Sequence, residues 1–244
     1  MPDVHYEDPR LAQIYDLDSG WSEDRDFYLA LPVKAEQHIL DMGCGTGLLC
    51  NAYAEKGHHV TGADPSAAML NVARRKPHGS AIEWVQSAAQ TYKSDKRFDL
   101  IIMTGHAFQV LLTEQDILAA FAAMKHHLRA GGMIVFESRN PGIDWAPRWN
   151  YEIELDTPAG IVRESRHFIS IADGIMQFEL RYQFPDRQVL ASASTLRFSP
   201  RETIERLLTA SGLKADNIFG DWSRNPFDSN ASEEMIFVVG ADDN

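Results

Sequence analysis

Apolar and polar positions between residues 39 and 140 follow two alternating patterns. Stretches with helical spacing separate short apolar runs of strand type, which lie near residues 39–42, 59–63, 82–85, 99–103 and 133–138. This alternation predicts a parallel sheet with right-handed crossovers. Because open parallel sheets bind ligands beyond the carboxyl ends of their strands, we expect a ligand site at the residues that follow these runs.

A period of two residues replaces this pattern between about residues 149 and 198. Apolar side chains alternate with polar ones, and Asp173-Gly174 and Pro185-Asp186 are typical of hairpin turns. The sequence therefore predicts an antiparallel β insertion after the fifth strand of the sheet.

The chain then returns to the first pattern. Ser199, Pro200 and Glu202 predict a capping box with proline at the first helical position, for a helix that ends by Gly212. Strands near residues 213–219 and 234–239 would complete the main sheet.

Three further boundaries can be predicted. Apolar spacing from Asp26 to Leu31 suits a helix broken near Pro32. Thr113 with Asp116 predicts a capping box, and Gly131-Gly132 predicts the end of that helix after Leu128.

We predict two structural units. Residues 1–148 and 199–244 form the core, with a helical cover over about residues 1–35. Residues 149–198 form the insertion, as a cover over the substrate or as an oligomer interface.

The run from Ile39 to Gly47 leads a strand directly into glycines at alternate positions. Glycines are needed where a ligand approaches bare main-chain N–H groups. The spacing G-x-G-x-G, with Leu48 in place of a last glycine, differs from the G-x-G-x-x-G of dinucleotide sites. Asp64 ends the second strand, where a carboxylate can accept both hydroxyls of a ribose.

Composition narrows the ligand classes. The 244 residues carry a formal net charge of −12, which disfavours nucleic acid as a partner. No apolar run reaches the length of a membrane span, and the first residues lack the features of a signal peptide, so we expect a cytoplasmic protein without a membrane partner. Cys44 and Cys50 lack metal-ligand spacing, and the histidines are not spaced with carboxylates, so we expect no metal.

Four motifs carry a family resemblance. They are D-x-G-C-G-T-G from Asp41, A-D-P-S-x-x-M-L at 63–70, F-D-L-I-I at 98–102 and L-R-A-G-G-M-I-V-F at 128–136. In this order and spacing the chain resembles class I S-adenosylmethionine-dependent methyltransferases. The resemblance implies an α/β fold: a Rossmann-like, doubly wound, mostly parallel seven-stranded sheet with an antiparallel last strand. It also implies S-adenosylmethionine as cofactor and S-adenosylhomocysteine as product.

The resemblance assigns cofactor-binding roles along the sheet edge. The turn would hold the methionine part, Asp64 the ribose and Met69 the adenine. Ser87 and Ala88 stand where many relatives carry an acid that reaches the adenine amino group, and a serine hydroxyl can accept the same hydrogen bond. The predicted cofactor-binding residues are Asp41, Gly43, Cys44, Gly45, Gly47, Asp64, Pro65, Met69, Ser87, Ala88 and Thr104.

The segment from Phe98 to Phe108 resembles the glycine and amino-sugar N-methyltransferase branch. His106 matches a position where an asparagine contacts the acceptor in glycine N-methyltransferases, so we predict His106 as a catalytic residue that orients the acceptor or takes its proton. A histidine that fixes a loop is the alternative. The predicted substrate-binding residues are Tyr15, Trp21, His106 and Arg166; the aromatic ones, with Tyr28, could equally belong to the core.

These observations predict an enzyme that transfers a methyl group to nitrogen or oxygen of a small-molecule acceptor by in-line displacement. Alignment of the reactants is the main requirement of this reaction. A non-catalytic scaffold or sensor that binds the cofactor is the alternative, and the glycine spacing disfavours a nicotinamide oxidoreductase. A homodimer through the insertion is possible.

Overall fold

A computed structural model of the protein describes residues 3–242, so residues 1–2 and 243–244 of the predicted units lie outside the described part. The strands are β1 His38–Met42, β2 His59–Asp64, β3 Glu83–Gln86, β4 Phe98–Met103, β5 Leu128–Arg139, β6 Tyr151–Thr157, β7 Gly160–Ala172, β8 Ile175–Gln183, β9 Val189–Arg197, β10 Leu213–Phe219 and β11 Glu234–Ala241. The helices are α1 Val4–Glu7, α2 Pro9–Asp18, α3 Glu23–Leu29, α4 Leu48–Glu55, α5 Ala67–Ala73, α6 Glu114–His127 and α7 Arg201–Ala210.

Seven of the strands form the main sheet, in the order β3-β2-β1-β4-β5-β11-β10. The β1 to β5 pairs are parallel, whereas β11 runs antiparallel to both β5 and β10. The order reverses beside β1, which places the glycine turn at the switch point where open α/β sheets bind ligands. The predicted fold class is confirmed.

Apolar layers cover both faces of this sheet. On one face the rings of Phe136 and Phe237 stack with centroids 5.0 Å apart, and α6 and α7 contribute Phe121 and Leu207 to the same cluster. On the other face α3 and α4 pack against β1 and β4. Burial on both sides explains why these strands read as continuous apolar runs.

The insertion forms a separate antiparallel sheet, in the order β6-β7-β8-β9. Its two later turns lie at the predicted Asp173-Gly174 and at residues 184–188. One face carries an apolar cluster that includes Trp149 and Met176, and Leu11 of α2 packs into it. The helices α1 and α2 therefore lie between the inserted sheet and α5 of the core.

Two local predictions need correction. The helix α7 begins at Arg201 with Pro200 as its N-cap, and no side-chain cap forms there; instead the Ser199 hydroxyl accepts a hydrogen bond from Arg197 Nε at 3.0 Å. Strand β5 begins at Leu128 rather than near residue 133, because Leu128 already pairs with Phe98 across a bulge, so Gly131-Gly132 lies within β5 and does not end α6, which stops at His127. The capping box of Thr113 with Asp116 is present as predicted.

None of the helices described between residues 3 and 242 has the length and apolar character of a membrane span.

Candidate active site

The glycine turn after β1 is held by main-chain hydrogen bonds to β2. The N–H groups of Gly43 and Cys44 both donate to the Ala63 carbonyl, at 2.7 and 3.1 Å. Gly43, Gly45 and Gly47 have φ values of 80°, 53° and 72°, a region that favours glycine. The alternate glycines therefore let the chain turn tightly from β1 into α4.

Two glycines of this turn have different surroundings. A Cβ on Gly47 would overlap the indole ring of Trp84, which packs beneath the turn. A Cβ on Gly45 would meet no heavy atom within 4 Å among the described residues. Gly47 thus serves packing, whereas Gly45 borders open space where a ligand can reach the backbone.

Asp41 lies at the end of β1 with 1% of its surface exposed. Its Oδ2 accepts from Cys50 Sγ at 3.4 Å, while its buried Oδ1 has no hydrogen-bond partner in the described structure. Burial raises the pKa of Asp41 to about 7. A buried carboxylate oxygen without a partner is costly, and a cationic ligand group that donates to it would remove the cost.

Asp64 joins the glycine turn to α5. Its Oδ2 accepts from the Gly45 N–H at 2.9 Å and its Oδ1 from the Ser66 N–H at 2.8 Å. A carboxylate has about four lone-pair sites, so both oxygens can still accept ligand hydroxyls. Burial raises the pKa of Asp64, and the two backbone hydrogen bonds offset part of this rise because they stabilise the ionised carboxylate.

The predicted adenine side lies beyond β3. The Ser87 N–H donates to the Asp64 carbonyl at 3.1 Å, and the Ser87 hydroxyl lies 3.0 Å from the Ala88 carbonyl. Met69 is buried in α5, and the Pro65 carbonyl accepts from Gln86 Nε2 at 3.2 Å. These residues lie along the same edge of the sheet as the glycine turn.

The N-terminal helices cover this edge. Asp16 of α2 accepts hydrogen bonds from Thr46 in the glycine turn and from Lys76 after α5. The Ser66 hydroxyl donates to the Tyr6 carbonyl at 2.7 Å, and Tyr6 and Tyr15 pack against a cluster with Met69. The predicted helical cover therefore touches two of the motifs.

His106 lies after β4 in the left-handed region, with φ 59°. Its Nε2 is 3.0 Å from both carboxylate oxygens of Glu234 on β11, and its N–H donates to Glu137 Oε1 at 2.6 Å. Tyr28 is fully buried and donates its hydroxyl to the other oxygen of Glu137. His106 is thus oriented by a carboxylate, the arrangement of a general base, and Tyr28 belongs to the packed interior.

A cavity of about 70 Å³ lies between the N-terminal helices and the inserted sheet. Tyr15 and Arg166, both predicted to bind substrate, line it, and so does Glu164, which the sequence analysis did not single out. Trp21 lies elsewhere: its side chain is 45% exposed and its indole N–H donates to Asp26 at 2.8 Å. His106 is not among the residues that line this cavity.

The structure thus gathers most of the predicted residues into two neighbouring places. The carboxyl edge of the main sheet brings together Asp41, Gly43, Cys44, Gly45, Gly47, Asp64, Pro65, Met69, Ser87, Ala88, Thr104 and His106. The sequence analysis missed several polar residues of these places, among them Glu234, Glu164, Glu137 and Asp16. The sequence does place Glu164 on the inward face of its strand, because it lies two positions from the inward-facing Val162. Among residues 3–242, no group of three His, Cys, Asp or Glu side chains is placed to hold a metal ion.

Sequence comparison matches the core to known methyltransferases. The family described as a methyltransferase domain matches residues 39–132. The ubiquinone biosynthesis O-methyltransferase of Cereibacter sphaeroides (strain KD131) is 31% identical over 139 residues, which cover 52% of this chain and 54% of that protein. The chain spans about half the length of the curated relatives it matches.

Solved structures share the fold over nearly the whole chain. An S-adenosylmethionine-dependent methyltransferase from Clostridium acetobutylicum has a TM-score of 0.79 at 19% identity, with 95% of this chain and 98% of that chain covered. An amino pentose methyltransferase from Micromonospora echinaspora, solved with S-adenosylmethionine bound, has a TM-score of 0.67 at 22% identity, with 92% and 93% covered.

The sheet order and the glycine turn define the class I methyltransferase fold, the class that the motifs predict. Residues 39–132 match the model of the methyltransferase-domain family.

Proposed function

We propose that this chain is an S-adenosylmethionine-dependent methyltransferase that transfers a methyl group to nitrogen or oxygen of a small-molecule acceptor. The acceptor would bind beneath the N-terminal helices and the inserted sheet. The matched relatives include a methyltransferase of ubiquinone biosynthesis and one that acts on an amino pentose, both of which support a small-molecule acceptor.

One observation carries the cofactor assignment. Gly45 opens to free space at the same turn where Asp41 holds a buried carboxylate oxygen without a partner. The open space at Gly45 and the unsatisfied carboxylate oxygen of Asp41 together suit the methionine part of the cofactor, because its ammonium group can donate to that oxygen. The protein residues present therefore fit the cofactor.

The roles of the residues follow from this assignment. Asp41 would bind the ammonium group and thereby keep its own charge, because a nearby cation favours the ionised carboxylate. Asp64 would accept the ribose hydroxyls. When bound, the cofactor would supply an electrophilic methyl group on a positively charged sulfur, which is a good leaving group. What remains for the protein is to align the acceptor and receive its proton.

His106 and Glu234 are suited to receive that proton. Glu234 lies on one side of the imidazole at 3.0 Å from Nε2, which leaves Nδ1 as the atom that can serve the acceptor. Glu234 would act as a positioning residue, since it orients the ring without touching the acceptor.

Replacing His106 with alanine is expected to reduce kcat by about a hundredfold or more, the usual contribution of a general base. S-adenosylhomocysteine affinity should change little, and Glu234→Gln should have a smaller effect on kcat. Steady-state kinetics with the identified acceptor measures both. His126→Ala, which alters an exposed histidine of α6, is the matched control. Full activity of His106→Ala would remove His106 from the mechanism.

The proposed activity is tested by transfer of a labelled methyl group from S-adenosylmethionine to a library of small amines and alcohols, with release of S-adenosylhomocysteine as the second readout. Transfer to at least one acceptor, lost in Asp64→Ala, supports the proposal. Tight cofactor binding without transfer to any compound would favour the alternative, a non-catalytic scaffold or sensor.

A further inference from the structure

The cavity between the N-terminal helices and the inserted sheet has room for a small polar molecule. The centre of a water molecule can occupy a volume of about 70 Å³ in this cavity. This volume is enough for roughly five waters, or for as many non-hydrogen ligand atoms. Its walls come from α1 and α2 on one side and from the inward face of β7 and β8 on the other.

Glu164 gives this cavity an unusual chemical character. The residue is 1% exposed, and neither carboxylate oxygen has a hydrogen-bond partner of ordinary length in the described structure, although the Tyr182 hydroxyl and Arg166 lie close enough to lower its pKa. Arg166 Nη2 lies 3.6 Å from Oε1, near enough for ionic attraction but beyond the usual length of a hydrogen bond. A buried charge with unfilled acceptor positions is destabilising unless a donor supplied from outside fills them.

Arg166 does not fill them because other groups hold it. Its guanidinium carbon lies 4.9 Å from the ring centre of Tyr151, 5.5 Å from that of Phe178 and 5.8 Å from that of Trp149. These cation–π contacts keep the guanidinium against the aromatic wall. The carboxylate of Glu164 is therefore left available to the cavity.

The remaining polar groups favour a cation. Asp18 adds a second carboxylate to the lining, and His5 stays neutral because burial, with Arg166 beside it, lowers its pKa to about 4. The tyrosines that line the cavity offer hydroxyls and ring faces, both of which suit an ammonium group. The wall thus holds two carboxylates against one guanidinium.

The cavity adjoins the cofactor edge through shared side chains. Tyr6 and Tyr15 line the cavity and also pack against the cluster that contains Met69. Asp64 is near enough to raise the pKa of both tyrosines further, in addition to the effect of burial. These two tyrosines therefore form part of the wall that the cavity shares with the cofactor edge.

We propose that this cavity is the acceptor-recognition site and that Glu164 binds a protonated amine of the acceptor. The inference rests on the proposed function, because the ligand is an acceptor only if the chain transfers methyl groups. The binding of an amine at Glu164 can be tested without any methyl transfer. It assigns a chemical class to the acceptor: a small molecule with an amino group that is cationic near neutral pH.

The test compares amines with alcohols of matched shape. Ethanolamine against ethylene glycol, and n-propylamine against 1-propanol, are titrated into the full chain with and without S-adenosylhomocysteine, and binding is followed by ligand-observed NMR. We expect at least one amine to bind about tenfold more tightly than its matched alcohol, as a charge-assisted hydrogen bond allows. Absence of an amine preference in both pairs would overturn the proposal.

Glu164→Gln keeps the shape of the side chain and removes its charge, so the amine preference should disappear. Glu154→Gln is the matched control, because Glu154 lies exposed in the same sheet and pairs with Arg163 at 2.9 Å. An amine preference that survives in Glu164→Gln would also overturn the proposal. Calorimetry with S-adenosylhomocysteine should give the same affinity in both variants. If S-adenosylhomocysteine does not bind to the wild type, that result counts against the proposed function and not against the amine site.

Amine binding should also weaken as the pH falls from about 8 to about 6. Burial raises the pKa of Glu164 to about 7 in the cavity, Asp18 adds to the rise, and Arg166 and the Tyr182 hydroxyl oppose it. Tyr6, Tyr15 and Tyr182 have pKa values raised by burial and stay neutral over this range. An amine affinity that is constant across this range would contradict the role of Glu164.

Discussion

Gly45→Ala is expected to weaken S-adenosylhomocysteine binding by about a hundredfold while the protein stays folded, because the new methyl group would occupy the open space where a ligand approaches the turn. The left-handed backbone, with φ 53°, adds a cost of about 1–2 kcal/mol to folding. Calorimetry measures the affinity, and thermal unfolding measures the stability.

Gly47→Ala, two residues away, is the matched comparison. The backbone cost is similar, but the methyl group would overlap Trp84, so we expect a total loss of stability of about 2–4 kcal/mol. Equal effects of the two variants on stability, with affinity unchanged in Gly45→Ala, would show that the open side of the turn is not the ligand side.

Asp41→Asn is expected to make the ligand-free protein more stable at about pH 8 and to abolish cofactor binding. Burial raises the pKa of Asp41 from 3.8 to about 7, so the protein binds this proton more tightly when folded than when unfolded. The stability contributed by Asp41 is therefore greatest below about pH 4 and is lost as the pH rises through 7. Asparagine removes the buried charge but leaves an unsatisfied N–H, so the net gain is on the order of 1–2 kcal/mol.

Thermal unfolding at about pH 5 and about pH 8 checks the sign, since the advantage of the variant should shrink at the lower pH. Asp99→Asn is the control: Asp99 accepts from Arg129 at 2.7 Å and from the His38 N–H at 2.8 Å, so its replacement should destabilise the protein and leave cofactor binding intact. An Asp41→Asn variant that is less stable than the wild type at pH 8, or that binds the cofactor normally, would refute the role given to Asp41.

The parts of the site that depend on local sequence could be predicted. The glycine turn, Asp41 and Asp64 lie within or directly after consecutive strands of a parallel sheet, so the order of strands along the chain suffices to bring them to one edge. The inserted sheet could be predicted for a similar reason, because the turn residues Asp173-Gly174 fix the register of its neighbours.

Contacts between distant segments could not be predicted. Glu234 meets His106 across 128 positions of sequence, through the antiparallel pairing of β11 with β5. Trp84 packs beneath Gly47, which no spacing rule indicates. Glu164 could have been predicted from the sequence. A charged residue at an inward-facing position of an alternating strand contradicts the pattern around it, and such conflicts mark functional sites.

The predicted N-cap of α7 was wrong because two hydrogen bonds compete for the same hydroxyl group. Ser199 has the residue type of an N-cap, but its hydroxyl accepts from Arg197 instead, and Pro200 takes the capping position. The local sequence contains both partners and does not indicate which hydrogen bond forms.

The most direct test of the account is calorimetric titration of the wild type and of Asp64→Ala with S-adenosylhomocysteine, with NAD as the control ligand. We predict micromolar binding of S-adenosylhomocysteine to the wild type, loss of this binding in Asp64→Ala, and no binding of NAD. Failure of S-adenosylhomocysteine to bind, or a preference for NAD, would contradict the assignment of the glycine turn to a methyltransferase cofactor.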